Sequence, residues 1–363
     1  MVSKGTIAVE EAVISPSTAW LLDESQQILT PGNASKQSVE SHKARLMDIH
    51  GSRLQSMDAE GVEYMLLSLT SPGCQGIHDQ ELAAKSATEF NNWLAGEVAK
   101  TPSRFGGLAA LSMHDPLQAA RELERAVKEL KFFGGILNDY QLMGKDGLQK
   151  QYYDTASYDP FWKKVEELDV PIYFHPRYPS AKELSNGGSV YASRMHLLGA
   201  GVQFHLDLSF HVYAMCSSGI FDRFPGVKIV VGHLGEKYVV TCSISIECSF
   251  FLTTNLSIPF NLWRASHWYN KPSKKIARPS QQDYKYYFQH NVFITTSGNF
   301  STSGLKSCIE ELGQERCLYS IDTPYDQVEE AQAWWRTVDI DPTVKEMVAR
   351  GNAIKLFKLP LKA

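Results

Sequence analysis

The chain has 363 residues, of which 43% are hydrophobic, so it holds enough apolar material for a large core. Its 36 Lys and Arg nearly balance 40 Asp and Glu, which gives a formal net charge of -4. This balance argues against nucleic acid or an anionic membrane surface as a partner and favours a small molecule.

The first residues and the cysteines indicate a cytoplasmic protein. Residues 1–13 contain two adjacent carboxylates and no continuous apolar stretch, so we expect neither a signal peptide nor a membrane anchor there. The six cysteines include no CxxC pair and are too sparse for a disulfide framework in a chain of this length. We therefore interpret them as reduced thiols, most of them buried.

Eight short β-rich apolar runs alternate with longer stretches whose apolar residues recur at helical spacing. The predicted strands are 6–9, 62–69, 106–111, 134–137, 171–174, 227–231, 292–295 and 318–321. Amphipathic stretches lie between them, for example 80–100, 116–130 and 159–168. This alternation predicts a (β/α)8 barrel. The alternative is an open doubly wound sheet, which is disfavoured because no glycine-rich phosphate loop follows the first strand.

Polar side chains stand at the carboxyl ends of four predicted strands. Glu10 ends the first, His175 the fifth, His233 follows the sixth and Asp322 the eighth. The strand ends of a barrel meet at one mouth, where enzymes of this fold place their active sites, so we expect these side chains to converge. Taken singly, each has an ordinary structural interpretation, as a hydrogen-bonded histidine or a turn carboxylate. Together they predict a metal site, because imidazole and carboxylate suit zinc or manganese.

Residues 238–257 differ from their surroundings. The segment is rich in Ser, Thr and Cys, shows no clear period and interrupts an otherwise continuous single barrel domain predicted over 1–363. Our hypothesis is that it is a translated retained intron, and the alternative is a genuine loop. Since it separates Glu236 from Arg264, it is also positioned to disturb the predicted site.

Eight motifs, in order along the chain, resemble the aromatic-acid decarboxylases of the amidohydrolase superfamily. The similarity runs from Thr6 to about Leu359 and is to members such as the fungal 2,3-dihydroxybenzoate and salicylate decarboxylases, relatives of γ-resorcylate and aminocarboxymuconate-semialdehyde decarboxylases. The motifs are IAVEEA, FGGLAALSMHDP, GGILNDY, DVPIYFHPR, FDRFPGVKIVVGHLGE, WRASHW, FITTSGNF and CLYSIDTPYD.

The resemblance implies a distorted (β/α)8 barrel with one divalent metal and no organic cofactor. Zinc is the first candidate, with manganese or magnesium as alternatives, and the implied ligands are Glu10, His175 and Asp322. Many relatives carry an ExH or HxH pair after the first strand, whereas this chain has Ala12 at the position of the second ligand. We therefore expect three protein ligands and open positions for substrate and water. A homodimer or homotetramer is also implied.

The resemblance also implies roles in catalysis. Asp322 transfers a proton, His233 and Glu236 of the HxxE motif hold it in the right protonation state, and Arg264 helps to bind the substrate. Asn138, at the end of the fourth strand, is a second substrate-binding candidate by its position, with a turn-forming role as the alternative.

The predicted activity is non-oxidative decarboxylation of an ortho-hydroxybenzoic acid, reversible as a carboxylation. Direct loss of CO2 would leave an unstabilised aryl carbanion, so the ring carbon must first accept a proton. Two alternatives stay open: a metal-dependent hydrolase of a lactone or amide, against which Ala12 argues, and an inactive product of a gene disrupted by the insertion. The ring substituents are not decided, and salicylate, 2,3- or 2,6-dihydroxybenzoate and orsellinate-like acids share the required group.

Overall fold

The structure is a computed structural model that describes residues 5–23, 36–186, 189–236 and 258–362. The side chains of residues 36, 37, 236 and 258–260 are not part of this description. The predicted insertion at 238–257 lies outside the described residues.

The strands form two parallel sheets and one separate hairpin. They are β1 Thr6–Val13, β2 Val62–Leu69, β3 Phe105–Gly107, β4 Ala109–Ala110, β5 Gly135–Asn138, β6 Gln141–Met143, β7 Gln149–Gln151, β8 Ile172–His175, β9 Ile229–Val231, β10 Val292–Thr295 and β11 Cys317–Leu318. One sheet has the order β1-β2-β3 and the other the order β11-β10-β9-β8-β5-β4, while β6 and β7 pair antiparallel. The chain crosses between the sheets at Leu108, whose N–H donates to Leu67 O at 2.9 Å. Strands β3 and β4 are thus one interrupted strand of a barrel.

Side chains and loops close the barrel where its first and last strands meet. The backbone N–H groups of Val9 and Glu10 donate to Ser320 Oγ at 3.0 and 2.8 Å. Further along, Ala12 N–H donates to Thr323 O at 2.8 Å. We call this contact between β1 and residues 320–323 the seam. Because the seam joins the two ends of the strand series, the open doubly wound alternative is excluded and the predicted barrel is confirmed.

Helices surround the strands. They are α1 Lys36–Met47, α2 Ser52–Glu60, α3 Gln80–Val98, α4 Pro116–Lys128, α5 Asp159–Leu168, α6 Ala181–Ser185, α7 Gln203–Ser217, α8 Ile220–Arg223, α9 Ile258–Tyr269, α10 Pro272–Ala277, α11 Tyr284–His290, α12 Thr302–Leu312, α13 Val328–Thr337, α14 Pro342–Glu346 and α15 Asn352–Phe357. Among those that begin with an aspartate as the N-cap residue are α3 and α4. The side chain of Asp79 accepts from Leu82 N–H at the start of α3. The side chain of Asp115 accepts from Leu117 N–H at the start of α4, whose first residue is a proline. None of the helices in the described ranges is long and apolar enough to cross a membrane.

The strand predictions hold at most positions. The second and seventh predicted strands have the same bounds as β2 and β10, and the first extends to Val13. The eighth, predicted over 318–321, ends at Leu318 instead. The reason lies in tertiary contacts, because the N–H groups of Ser320 and Ile321 donate to the side chains of Thr296 and Glu11. They are therefore taken out of the strand ladder.

Apolar side chains fill the barrel below its mouth. The inner cluster takes alternate residues of the strands, as expected for period-two side chains, and α15 closes the opposite end. Its members include Ile7, Val9, Tyr64, Leu66, Leu108, Ile136, Tyr173, Val230, Phe293 and Leu318. With the interior packed in this way, polar groups at the carboxyl ends of the strands are the ones left to form a site.

Candidate metal centre

Three ligating side chains converge at the mouth of the barrel. The ligand atoms of Glu10, His175 and His233 all lie within 4.8 Å of one another. Glu10 Oε1 is 3.3 Å from His175 Nε2 and 3.5 Å from His233 Nε2. Glu10 and His233 are buried, at 3% and 8% exposure. We call these three residues the metal cluster.

Backbone carbonyls determine which imidazole nitrogen faces Glu10. His175 Nδ1 is 2.6 Å from Pro176 O, and His233 Nδ1 is 2.7 Å from Ser297 O. A carbonyl oxygen only accepts, so each Nδ1 carries a hydrogen, and in a neutral ring Nε2 then offers its lone pair. The same arrangement, with the far ring nitrogen bound to a carbonyl, is usual for histidines that ligate metals.

The donor set fits a divalent cation. Glu10 Oε1 is buried and accepts no hydrogen bond from any described residue, although two imidazole nitrogens face it. Two nitrogen lone pairs directed at a carboxylate oxygen repel one another unless a positive charge lies among them. One carboxylate and two imidazoles are ligands that zinc and manganese accept. The observed arrangement can therefore hold a divalent cation.

Three hydroxyl groups orient Glu10 from the opposite side. Its Oε2 accepts hydrogen bonds from Tyr173 Oη and Ser297 Oγ, and from Thr295 Oγ1 at 3.2 Å. Burial, and then the neighbouring Glu10 carboxylate, raise the pKa of Tyr173 well above its usual value, so this phenol stays protonated and donates. These bonds keep Oε1 directed toward the two imidazoles.

A tight turn after β9 presents His233. Gly232 precedes it, and a Cβ at this position would lie 2.9 Å from Glu10 Oε2, so no larger residue fits beside the carboxylate. His233 and Leu234 both have positive φ, at 53° and 57°, in a region that non-glycine residues rarely adopt. The fully buried Leu234 and a hydrogen bond of 3.1 Å from Asn299 Nδ2 to His233 O hold the turn in place.

Asp322 lies on the loop after β11, beside the metal cluster. It was predicted as a ligand, but among the described residues the group of converging ligand atoms contains His233 in addition to Glu10 and His175, and not Asp322. Burial, followed by the charges of Glu10 and Glu11, raises the pKa of the Asp322 carboxyl well above its usual value, against the opposite effect of His233. This environment favours the protonated carboxyl, and the roles of Asp322 as ligand and as proton donor stay predictions.

The other predicted site residues occupy different surroundings. Asn138 ends β5, is paired in register with His175, and has a buried Oδ1 that accepts no hydrogen bond from the described residues. Arg264 is exposed on α9 and lines a surface cavity of about 650 Å³ with residues such as Tyr213 and Trp268, and no member of the metal cluster lines it. Glu236 ends the tight turn that begins at His233, and its side chain is outside the described part of the chain.

Residues that orient Glu10 were missed in the sequence. Thr295 ends β10 and Ser297 lies two residues beyond it, so both could have been found by the same search for polar strand ends. Tyr173 gives no such signal, because it lies inside an apolar strand and belongs to the inner cluster. Only the fold shows that its hydroxyl reaches the mouth.

Comparison with known proteins identifies the family. A family model described as Amidohydrolase matches residues 36–359. The γ-resorcylate decarboxylase of Polaromonas sp. is 38% identical over 320 residues, which cover 87% of this chain and 90% of that protein. A crystal structure of a dihydroxybenzoic acid decarboxylase from Polaromonas sp., with bound manganese and the inhibitor 2-nitroresorcinol, has 35% identity and a TM-score of 0.85, covering 99% of this chain and 98% of that one.

A related activity occurs in another structural neighbour. The 5-carboxyvanillate decarboxylase of Sphingomonas paucimobilis has 32% identity and a TM-score of 0.80, covering 98% of this chain and 100% of that one. The family model and these relatives span most of the chain. The predicted resemblance is confirmed, and this chain belongs to the amidohydrolase family.

Proposed function

We propose that this protein is a metal-dependent, non-oxidative decarboxylase of ortho-hydroxybenzoic acids. The observation that carries the proposal is the convergence of Glu10 Oε1, His175 Nε2 and His233 Nε2 at the mouth of the barrel. It is supported by the similarity of the whole chain to decarboxylases of hydroxylated aromatic acids. The reaction would also run in reverse as a carboxylation at high bicarbonate.

Glu10, His175 and His233 would hold the cation, with Asp322 as the further ligand that the sequence predicts. We propose zinc, for which imidazole and carboxylate ligands are usual, with manganese and magnesium as the alternatives to be tested. Manganese is the ion in the Polaromonas structure. When bound, the cation supplies Lewis acidity and a positive anchor for the substrate carboxylate and its ortho hydroxyl.

Asp322 is the proposed proton donor. The electrons of the ring, enriched by the ortho hydroxyl, take the proton from the Asp322 carboxyl at the carbon that bears the carboxylate. The bond to CO2 then breaks, its electron pair restores the aromatic ring, and Asp322 regains a proton from water. Burial and the neighbouring Glu10 raise the pKa of the Asp322 carboxyl, which favours the protonated form that this step needs. The sequence assigns the adjustment of this protonation state to His233 and Glu236. Because His233 would hold the cation through Nε2, we propose Glu236 for this role.

Asn138 and Arg264 are the proposed substrate-binding residues. The buried Asn138 Oδ1 is an acceptor without a described partner, and a ring hydroxyl would satisfy it.

Arg264 lies on a face with two exposed tryptophans, Trp263 at 68% and Trp268 at 54%. Exposed aromatic side chains next to an arginine are typical of protein interfaces, so we propose this face as the contact in a homodimer or homotetramer.

Two features of the whole chain belong to the same proposal. We propose one barrel domain over 1–363, interrupted by the segment 238–257. A cytoplasmic location is proposed because Cys74, Cys216 and Cys317 are buried thiols that form no disulfide among the described residues.

The test combines metal content with CO2 release. The full chain and a version lacking 238–257 are assayed with salicylate, 2,3- and 2,6-dihydroxybenzoate and orsellinate. We expect at least one version to release CO2, Asp322→Asn to abolish the release, and Asp115→Asn, a capping residue at the start of α4, to leave it unchanged.

The alternatives give different results in this assay. If both versions bind a metal and neither releases CO2, the proposal is wrong, and lactones and amides become the substrates to test. If the shortened chain alone is active, the segment 238–257 blocks the site. Splice signals flanking the segment in the gene would identify it as a retained intron.

A further inference from the structure

A buried carboxylate lies on the seam, directly behind the metal cluster. Glu11 follows Glu10 on β1, is fully buried, and reaches the loop after β11. It accepts hydrogen bonds from Ser320 Oγ at 2.9 Å, Ile321 N–H at 3.1 Å and Thr323 N–H at 2.8 Å. One side chain thus binds the residues on both sides of Asp322.

Arg53 completes this arrangement from helix α2. Its guanidinium is buried, donates to Ala12 O at 2.6 Å and attracts the Glu11 carboxylate. Burial lowers the pKa of Arg53 to about 10, so the group still carries its charge near neutral pH. A buried carboxylate with a cation and three donors around it is held in one orientation.

The backbone at Asp322 needs such support. Its φ is 83°, in the left-handed region that residues other than glycine rarely adopt. The N–H groups of Tyr325 and Asp326 donate to Asp322 O at 2.8 and 3.0 Å, which fixes the carbonyl side of the turn. The amides of Ile321 and Thr323, which flank Asp322, are fixed by Glu11.

We infer that Glu11 is a positioning residue, which aims the Asp322 carboxyl at the reacting ring through the backbone of residues 321–323. The hydrogen bonds that Glu11 accepts from residues 320–323, which we call the clamp, are a property of the fold. The inference rests on the proposed function only for the reaction itself. Glu11 does not touch the substrate, since its carboxylate is occupied by the seam. Its hydrogen bonds act on the site through the backbone of residues 321–323, and its charge also acts on the Asp322 carboxyl.

The test uses Glu11→Gln, which keeps the size of the side chain. A glutamine has one acceptor oxygen, so its NH2 group would face a backbone donor and release one side of the loop. We expect kcat to fall about 10- to 100-fold, because misplacing a reacting group by about 1 Å has this effect, with KM changed less than about twofold. Because the buried Arg53 would lose the nearby negative charge of Glu11, the double variant Glu11→Gln/Arg53→Met is made as well, which removes both charges.

Hydrogen exchange gives a readout that does not depend on activity. We expect the amides of a peptide covering residues 320–325 to exchange about tenfold faster in both Glu11 variants than in the wild type. The matched control is Gln332→Leu, which removes a buried hydrogen bond to Thr6 at the other end of β1. This control destabilises the first strand without touching residues 321–323.

The inference is overturned if exchange at 320–325 is unchanged in the Glu11 variants, or if kcat falls no further than in Gln332→Leu. Equal losses in kcat and in the folded fraction would show a purely structural role and overturn it too. If the wild type releases no CO2 while the exchange still rises, the clamp stands and the proposed function fails.

Discussion

The hydroxyl of Tyr173 provides a direct test of how the metal site is built. Tyr173→Phe removes one of the three hydroxyl donors to Glu10 Oε2 and leaves those of Ser297 and Thr295. A hydrogen bond to a charged group contributes about 1.5–3 kcal/mol, and loss of a residue that orients a metal ligand lowers affinity about 10- to 100-fold. Since two donors remain, we expect the lower end, about tenfold or ~1.4 kcal/mol.

The assay is titration of the metal-free protein with zinc and manganese, measured by calorimetry or by competition with a chelator. The pKa of Tyr173 is raised well above its usual value, so its hydroxyl donates throughout the range from about pH 6 to 9. For each metal, the ratio of the dissociation constants of Tyr173→Phe and wild type should therefore be constant over this range. The control is Tyr64→Phe, which alters another buried tyrosine of the inner cluster that is not among the described donors to Glu10. Equal affinities for wild type and Tyr173→Phe, or an equal loss in Tyr64→Phe, would refute the reasoning.

Three further predictions address the site, the acid stability and the assembly. Gly232→Ala places a methyl group 2.9 Å from Glu10 Oε2, so we expect loss of bound metal and at least a hundredfold drop in CO2 release. The control Gly96→Ala, which has open space around its Cβ, should keep both the metal and the activity. A Gly232→Ala protein that still binds a full equivalent of metal would contradict this prediction. Burial alone would raise the pKa of Glu183, but Arg177, Ser180 N–H and Lys150 hold it below its ordinary value of 4.5. The ionised Glu183 therefore stabilises the fold above about pH 4.5, and this stabilisation is lost as the pH falls through the lowered pKa. In denaturant titrations, the difference in unfolding free energy between wild type and Glu183→Gln should shrink between about pH 5 and 3. A difference that stays constant over this range would contradict the prediction. Trp268→Glu places a charge in the proposed interface, so light scattering should show a monomer for this variant and an oligomer for the wild type. A monomeric wild type would contradict the proposed interface.

Much of the barrel could be predicted from local sequence, because its strands are short apolar runs set off from amphipathic helices. The bounds of β2 and β10 were predicted without error. The hairpin of β6 and β7 was missed because its strands, QLM and QKQ, carry no alternating pattern. The two glycines between them, Gly144 and Gly147, were the available turn signal.

The members of the site could be predicted to the extent that they stand at strand ends. Glu10, His175 and His233 obey this rule, since a barrel brings every strand end to the same mouth. Which side chains have their ligand atoms next to Glu10 could not be predicted, because the orientations of His233 and Asp322 depend on two turns with positive φ. Nor could the role of Glu11 be seen, since its partners lie about 310 residues away in the chain.

The seam also has a consequence for the chain while it is being synthesised. The metal cluster draws on Glu10, from the start of the chain, while two of the three hydroxyls that orient Glu10 and the loop side of the seam lie at residues 295–323. A nascent chain cannot assemble this centre until residue 323 has left the ribosome and the barrel has closed. Products that stop earlier should therefore be fully inactive rather than partly active, and tight metal binding should report that translation has passed this point.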